Sequence, residues 1–311
     1  MLETMAAQTQ VTTEVDGQTM KLTNLGKVLY PETGFTKAEV IDYYLNVAQL
    51  LLPHLSDRPL TRKRWPDGTG AAYFFEKNAP RGTPAWVRTE TLPTPGSSTG
   101  RDEADFVVAD DRQTIVWLAN LAALELHVPQ WRIKSSRTGA EPKADLIVFD
   151  LDPGAPATVV DCCDVALALR ELLKHYGLTA WAKTSGNKGL HLYVPVEPTS
   201  SRKTSEFAKS LAEQLAGALP DQVTATMTKA IRPGKVFIDW SQNHSAKTTL
   251  APYSLRGTAE PRVSTPVDWE EVASATEASD LVFYPADVLA RIEEYGDPLH
   301  GLYDDPHPLP S

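Results

Sequence analysis

Eight residues, Leu146 to Pro153 (Leu-Ile-Val-Phe-Asp-Leu-Asp-Pro), constrain this chain more than any other stretch. A β-branched and aromatic run of that length reads as a buried strand. Side chains two apart on a strand share a face, so Asp150 and Asp152 emerge together at its end. Carboxylates that close repel, and one takes up a proton unless cations lie between them. The simplest way to keep both ionised is a divalent metal. The plainer reading is a strand that ends in a turn, since Asp152-Pro153-Gly154 is good turn chemistry.

The 311 residues, 42% of them hydrophobic, suffice for one large domain or two lobes and exclude collagenous, coiled-coil and wholly disordered chains. No run of eighteen apolar residues and no signal-peptide order occurs, so a cytoplasmic protein without a membrane partner is expected. Cys162 and Cys163 are adjacent, which rules out a disulfide framework and a CxxC zinc site. A net charge of −10 argues against a nucleic-acid partner until its distribution is counted. Residues 266–311 hold 11 acids against Arg291 alone and so carry all of it, while the first 265 are neutral with 29 of each sign. Within them cations bunch at Arg58, Arg62, Lys63 and Arg64, and again at Lys134 and Arg137. A local basic groove is compatible with that balance, although solvated faces are the usual meaning of such runs.

Residues 1–18 read as a flexible leader or a first edge strand. After a loop-rich stretch, Thr36 and Glu39 form a capping-box pair that starts a helix over about 37–52, with one apolar stripe at Val40, Ile41, Tyr44, Leu45, Ala48 and Leu51. Lys37 at its first turn opposes the helix dipole, which makes sense if an anion binds there. Interleaved cations and rings at Arg58 to Trp65 and Tyr73 to Phe75 suit a surface on which bases stack. Strand alternation, however, would bury at least one of Phe74 and Phe75. Residues 93–105 read as a long loop, Phe106 to Val108 as a strand, and Asp111 to Leu126 as a helix followed by His127. A helix from Thr158 to Tyr176, a strand-turn-strand from Trp181 to Val196, a helix over 203–219, a strand ending at Asp239 and an acidic helix over 286–295 complete the pattern. Such an alternation implies a mixed α/β fold in two lobes.

The acid pair, the later Asp239 and the turn between them, Ser185-Gly-Asn-Lys188-Gly-Leu-His191, then need one explanation. In two-metal phosphoryl transfer, clustered aspartates hold the ions that activate the attacking oxygen and neutralise the leaving one. Gly186 and Gly189 let backbone N–H groups approach an anion, with Ser185, Lys188 and His191 as further donors. A hairpin turn with a solvated lysine is the alternative, because the spacing of a Walker loop is missing.

Asp150-Leu-Asp152, Thr184-Ser-Gly-Asn-Lys-Gly-Leu-His191 and Ile238-Asp239-Trp240 together resemble the three motifs of the archaeo-eukaryotic primase superfamily. The pattern is most similar to the bacterial non-homologous end-joining polymerase/primase domain, the polymerase portion of ligase D and its stand-alone relatives. The resemblance runs over roughly residues 20–300 and includes Asn24-Leu-Gly-Lys27-Val-Leu-Tyr-Pro, Glu125-Leu-His127-Val-Pro-Gln-Trp and Tyr253-Ser-Leu-Arg256. It implies a two-lobed primase-like α/β fold whose central mixed sheet carries the catalytic aspartates, over residues 19–300 with a tail at 301–311.

By that resemblance Asp150, Asp152 and Asp239 are the catalytic metal ligands, for two divalent ions, Mn²⁺ or Mg²⁺. His127, Ser185, Lys188, His191 and Arg232 meet the phosphates of an NTP or dNTP, and Lys63 lies near the incoming base. Arg64, Phe74 and Phe75 contact the template, while Asn24, Lys27 and Lys37 grip a 5′-phosphate on the downstream strand. The implied activity is template-directed addition of nucleotides, preferentially ribonucleotides, to 3′ ends at gaps or double-strand breaks in DNA repair. The implied protein is a monomer, nucleoid-associated when bound to DNA, and relies on a separate ligase and end-binding protein, since no ligase or phosphoesterase motif is visible. The link from Trp131 to Leu146 is shorter than in fused relatives, and the loop at 93–105 offers Arg101 as its only cation. A sugar-nucleotide transferase or hydrolase, which also uses Asp-x-Asp, and a non-catalytic module that binds DNA ends are the rival readings.

Overall fold

The computed structural model describes residues 10–94, 100, 102–135 and 141–310. Its frame is a mixed six-stranded sheet in the order Val223–Thr224, Val236–Asp239, Lys143–Pro153, Leu190–Ser200, Trp181–Thr184, Pro266–Val267. All neighbours are antiparallel except the first pair. A second, antiparallel sheet runs Thr249–Leu250, Ala123–Val128, Thr61–Arg64, Phe74–Glu76. Six α-helices flank them among the described residues: α1 Lys37–Leu55, α2 Arg112–Asn120, α3 Val159–His175, α4 Ser201–Ala218, α5 Trp269–Ser274 and α6 Pro285–Tyr295. One apolar core continues through both halves, from Val15 to Val288. The Tyr44 hydroxyl of α1, buried, donates to Leu124 O at 2.6 Å and so ties α1 to the second sheet.

The strand Lys143–Pro153 is the spine, and its alternation decides where the acids lie. Ile147, Phe149 and Leu151 join the main core beneath α3, where Cys162 Sγ donates to Leu151 O. Leu146 and Val148 face the other way, into a smaller cluster with Tyr193, Leu299 and Leu302. Period-two geometry carries that second row on to Asp150 and Asp152, away from α3. Past Asp239 the neighbouring strand ends, and the buried Asn243 takes over the pairing. Its Oδ1 accepts from Val148 N–H and its Nδ2 donates to Val148 O, both at 2.8 Å.

Several expectations are corrected here. The helix expected to reach Leu126 stops at Asn120; Ala122 turns with φ 57°, and Ala123–Val128 runs as a strand, so His127 lies on a sheet. Of the two readings of residues 1–18 the strand is the one seen from Val11, where Val11–Val15 pairs with Gln18–Leu22 as a hairpin. The long loop at 93–105 has paired flanks, Thr89–Pro93 against Glu103–Val107; residues 95–99 and Arg101 lie outside the described residues, as does Arg137. Half of the first basic run is interior. Arg58 and Arg62 are fully buried and paired with Asp145 and Glu76, because ion pairing is what makes a buried guanidinium tolerable.

Asn243→Ala leaves both backbone groups of Val148 unpaired in the interior, at a cost of about 2–4 kcal/mol for two buried polar groups. Urea unfolding of the variant should show its midpoint lowered accordingly, and an unchanged midpoint contradicts the role given to Asn243.

Candidate active site

The register of the central sheet builds the site. Asp150 pairs directly with Asp239 on one neighbouring strand and with His191 on the other, and His191 pairs in turn with Lys183. Directly opposed residues share a face, so Lys183, His191, Asp150 and Asp239 form one row across four strands, with Asp152 one step further along. The three aspartates expected to converge therefore do share a surface. His191 Nε2 lies 3.2 Å from Asp150 Oδ1. Asp239 turns onto the segment that follows it: Oδ1 accepts from the Ser241 N–H and Oγ at 3.0 and 2.6 Å, and Oδ2 accepts from Gln242 Nε2 at 2.8 Å.

Charge crowding is visible in the titration of these groups. Burial opposes ionisation of Asp150, but His191, then Lys183 and Arg256, outweigh it and hold the carboxyl below its usual range. Asp152 reaches solvent at the rim. The protein packed around it, then the charges of Asp150 and Asp239, push its carboxyl up to about 7 against the pull of Arg232 and Arg256. Burial also lowers His191, helped by Lys183, so the imidazole is neutral at pH 7. Lys183, fully buried, is pushed down to about 7 by its own burial, which outweighs the pull of Asp150. Its ammonium donates to Ser264 Oγ at 2.5 Å.

The hairpin loop after Trp181–Thr184 packs directly on the acids' strand. A Cβ on Gly189 would stand 2.0 Å from Leu151 O, the carbonyl between Asp150 and Asp152, so only glycine permits this approach. Gly186, at φ +70°, packs on Arg256 and Ser264, where a Cβ would stand 2.7 Å from the Arg256 side chain and 2.9 Å from Ser264 N. One part of the expected anion cradle is corrected: the N–H groups of Gly189 and Asn187 donate to Ser185 Oγ, at 3.0 and 3.2 Å, and so point into the loop. For an anion the loop still offers the exposed Lys188 side chain and the hydroxyl hydrogen of Ser185. Arg232 lies over the Phe237 ring at 3.5 Å and donates to Met227 O, and its buried Nε has no partner; the same is true of Arg256 Nε and His191 Nδ1. Three unpaired donors or acceptors around one row of acids mark a surface shaped for polar groups that are not part of the chain.

The other predicted nucleotide contacts, Lys63 and His127, lie on the second sheet around a residue that the sequence reading did not assign. Buried Glu125 is 2.8 Å from His127 Nε2, 3.2 Å from Lys63 Nζ and 3.7 Å from an Arg256 nitrogen, and accepts from the Gly257 N–H. Burial alone would raise its carboxyl; His127, Arg256 and Lys63 hold it down to about 2. Arg256 thus acts on both acidic groups, and with Lys183 and Glu125 it is the main omission. Each belongs to a motif visible in the sequence, but only the register of distant strands shows that they meet.

Lys63 Nζ also lies 4.7 Å above the Tyr73 ring. Phe74 and Phe75 are 55% and 54% exposed, which overturns the expectation that alternation buries one of them: their three-residue strand is at a sheet edge with neither face covered. Arg64 is held by Glu76 and by Leu121 O. Asn24 and Lys27 form an exposed turn, Asn24 at φ 55°, over the start of α1. Lys37 is buried there, its ammonium donating to Thr23 O at 2.6 Å; burial, with Lys27 and Arg64 nearby, lowers it to about 8. The helix terminus itself offers no anion seat, a second correction. Its first N–H groups donate to Lys27 O and Leu25 O, and Glu39 closes the capping box on Thr36.

Among the described residues no three His, Cys, Asp or Glu side chains are already closed into a metal cage, because Asp239 and Asp150 are turned to the partners named above. The donor set nevertheless fits hard cations: three carboxylates on one face, the titration of one raised by its surroundings and then by the charges of the other two, supply the oxygen ligands that Mg²⁺ and Mn²⁺ favour. No helix among the described residues is long and apolar enough to cross a membrane.

A mixed sheet of this order with acids on adjacent strands fits a nucleotidyltransferase of the archaeo-eukaryotic primase fold. Comparison with known proteins agrees: residues 36–299 match the family described as the LigD primase-polymerase domain, and the chain belongs to that family. It is 48% identical over 287 residues to the multifunctional non-homologous end joining protein LigD of Mycolicibacterium smegmatis, covering 92% of this chain and 36% of that protein. It is 33% identical to the bifunctional non-homologous end joining protein LigD of Bacillus subtilis, covering 94% of this chain and 45% of that protein. The chain therefore spans less than half the length of these relatives. Among solved structures it is similar to the polymerase domain of Mycobacterium tuberculosis ligase D in complex with DNA, with a TM-score of 0.84 and 44% identity over 92% of this chain and 98% of that one.

The Asp152 carboxyl gives a stability signature. Unfolded it titrates near 3.8 and folded near 7, so between these values the native state holds a proton that the unfolded chain has lost. Stability contributed by this group falls as pH rises from about 4 to 7 and then levels. In a chelator, Asp152→Asn should lose less stability between pH 5 and pH 8 than the parent in urea unfolding; equal losses contradict the crowding.

Proposed function

We propose that the chain extends the 3′ end of a primer at gaps or double-strand breaks in DNA, directed by the template and with a preference for ribonucleotides, as the polymerase step of end joining. The observation that carries this is the row of Asp239, Asp150 and His191, with Asp152 beside it, next to a loop that packs on the acids' strand and presents the exposed Lys188 and the hydroxyl hydrogen of Ser185. Asp150, Asp152 and Asp239 would hold two divalent ions, Mn²⁺ or Mg²⁺. When bound, such ions make the primer hydroxyl more acidic and neutralise the developing pyrophosphate.

The remaining work falls to the chain's own groups. Ser185, Lys188 and Arg232 bind the triphosphate and fix the α-phosphorus in line with the primer hydroxyl. Neutral His191 keeps Asp150 oriented and leaves its unpaired Nδ1 for the nucleotide. His127 and Lys63, steadied by Glu125, bound the other side of the nucleotide, and Arg256 links the two groups. Phe74 and Phe75 offer exposed rings for unpaired template bases, each stack contributing about 1–3 kcal/mol. Asn24, Lys27 and Lys37 grip a downstream 5′-phosphate through their side chains. The solved relative in complex with DNA supports a DNA substrate. In this proposal the chain acts as a monomer, with sealing and end binding supplied by a separate ligase and end-binding protein.

Asp150→Ala should reduce extension of a primed, gapped template by more than a thousandfold while DNA affinity changes less than threefold. Extension assays with and without template, with NTP or dNTP, read the first value and fluorescence anisotropy on the gapped DNA the second; robust extension by the variant removes the proposal, and template-independent turnover favours the sugar-nucleotide reading.

A further inference from the structure

We propose that Asp67 is a built-in competitor for the 5′-phosphate pocket, occupying Lys27 until a phosphorylated end displaces it and reclaiming Lys27 when the end leaves. The proposal rests on the reading of Asn24, Lys27 and Lys37 as that pocket. Lys27 Nζ lies 2.8 Å from Asp67 Oδ1, and the two side chains are 39% and 75% exposed, so water and a ligand can reach the pair. Such open pairs are weak, which makes this one displaceable. Lys37 cannot take the same part, because its buried ammonium is committed to Thr23 O. It contributes a fixed charge, whereas Lys27 contributes a movable one.

Asp67 is also held in place. The turn it rides on is stitched to the strand that follows Lys27: Gly68 N–H donates to Trp65 O and Thr69 N–H to Leu29 O at 2.7 Å. At φ +84°, Gly68 sits so close that a Cβ would be 3.1 Å from Leu29 O. When an anion arrives, the backbone that carries Asp67 therefore stays in place and keeps the carboxylate within reach of Lys27. A terminal phosphate carries about −1.5 to −2 at pH 7 and three acceptor oxygens, enough to win Lys27 from a single carboxylate. A 5′-hydroxyl end brings no such group and leaves the pair closed.

The test measures equilibrium binding and dissociation of gapped DNA carrying either a 5′-phosphate or a 5′-hydroxyl downstream end, by fluorescence anisotropy at low salt. Asp67→Asn should bind the phosphorylated substrate 3–10-fold tighter and release it more slowly, with less than a twofold change on the hydroxyl substrate. Glu32→Gln, which removes the same charge from the exposed turn packed beside Gly70, should shift both substrates equally and slightly. Adding Lys27→Ala to Asp67→Asn should abolish the gain. Equal gains on both substrates, no gain, or a gain that survives loss of Lys27 overturns the competitor. Failure of the parent protein to distinguish the two substrates instead overturns the pocket itself.

Discussion

Asp150 is paired with Asp239 on one side and with His191 on the other, and the rest of the molecule is arranged around that double register. Backbone hydrogen bonds fix the strands at a spacing that the carboxylates would not choose. What enforces the arrangement is the apolar pattern of Leu146 to Leu151: a slip of one residue would send Ile147, Phe149 and Leu151 to the open face and drive the acids under α3. Hydrophobic burial on one face of the spine thus places like charges together on the other.

The charge is then managed rather than removed. Lys183 and Arg256 counter Asp150 from within the protein, His191 stays neutral beside it, and Asp152 carries the residual crowding at the rim. A second acid, Glu125, draws the cations Lys63 and Arg256 and the imidazole of His127 into one group on the other sheet, and Arg256 reaches both. A nucleotide between the sheets would meet fixed positive groups on either side and acids beneath it. That division suits a reaction in which phosphate charge must be held while a bond to phosphorus is exchanged.

How much of this was legible follows from the kind of information each feature needs. Asp150 and Asp152 share a face by local geometry, and the capping box of Thr36 and Glu39 is equally local; both were readable. Asp239 was recognisable as a strand-terminal acid, but that it stands opposite Asp150 is a property of pairing between distant strands. Glu125 lies within a motif and Lys183 on the strand that leads into one, but their roles too depend on pairing between distant strands. Errors arose where tertiary context overrode pattern: the apolar run after Asn120 fits a helix as well as a strand, and only the sheet beside it decides. Alternation on a strand would turn one of Phe74 and Phe75 inward, but nothing packs on their edge strand. At α1 the expected anion seat failed because the carbonyls of Leu25 and Lys27 had already taken the helix's free N–H groups, which leaves Lys27 and Lys37 to act through their side chains.

The central claim, that carboxylates from two neighbouring strands act as one cation site, is tested most directly by titrating Mn²⁺ into the protein and following the free ion by electron paramagnetic resonance. The account predicts that Asp239→Asn, on the neighbouring strand, weakens Mn²⁺ binding at least tenfold, as does Asp152→Asn. Undiminished affinity and stoichiometry in Asp239→Asn would contradict it.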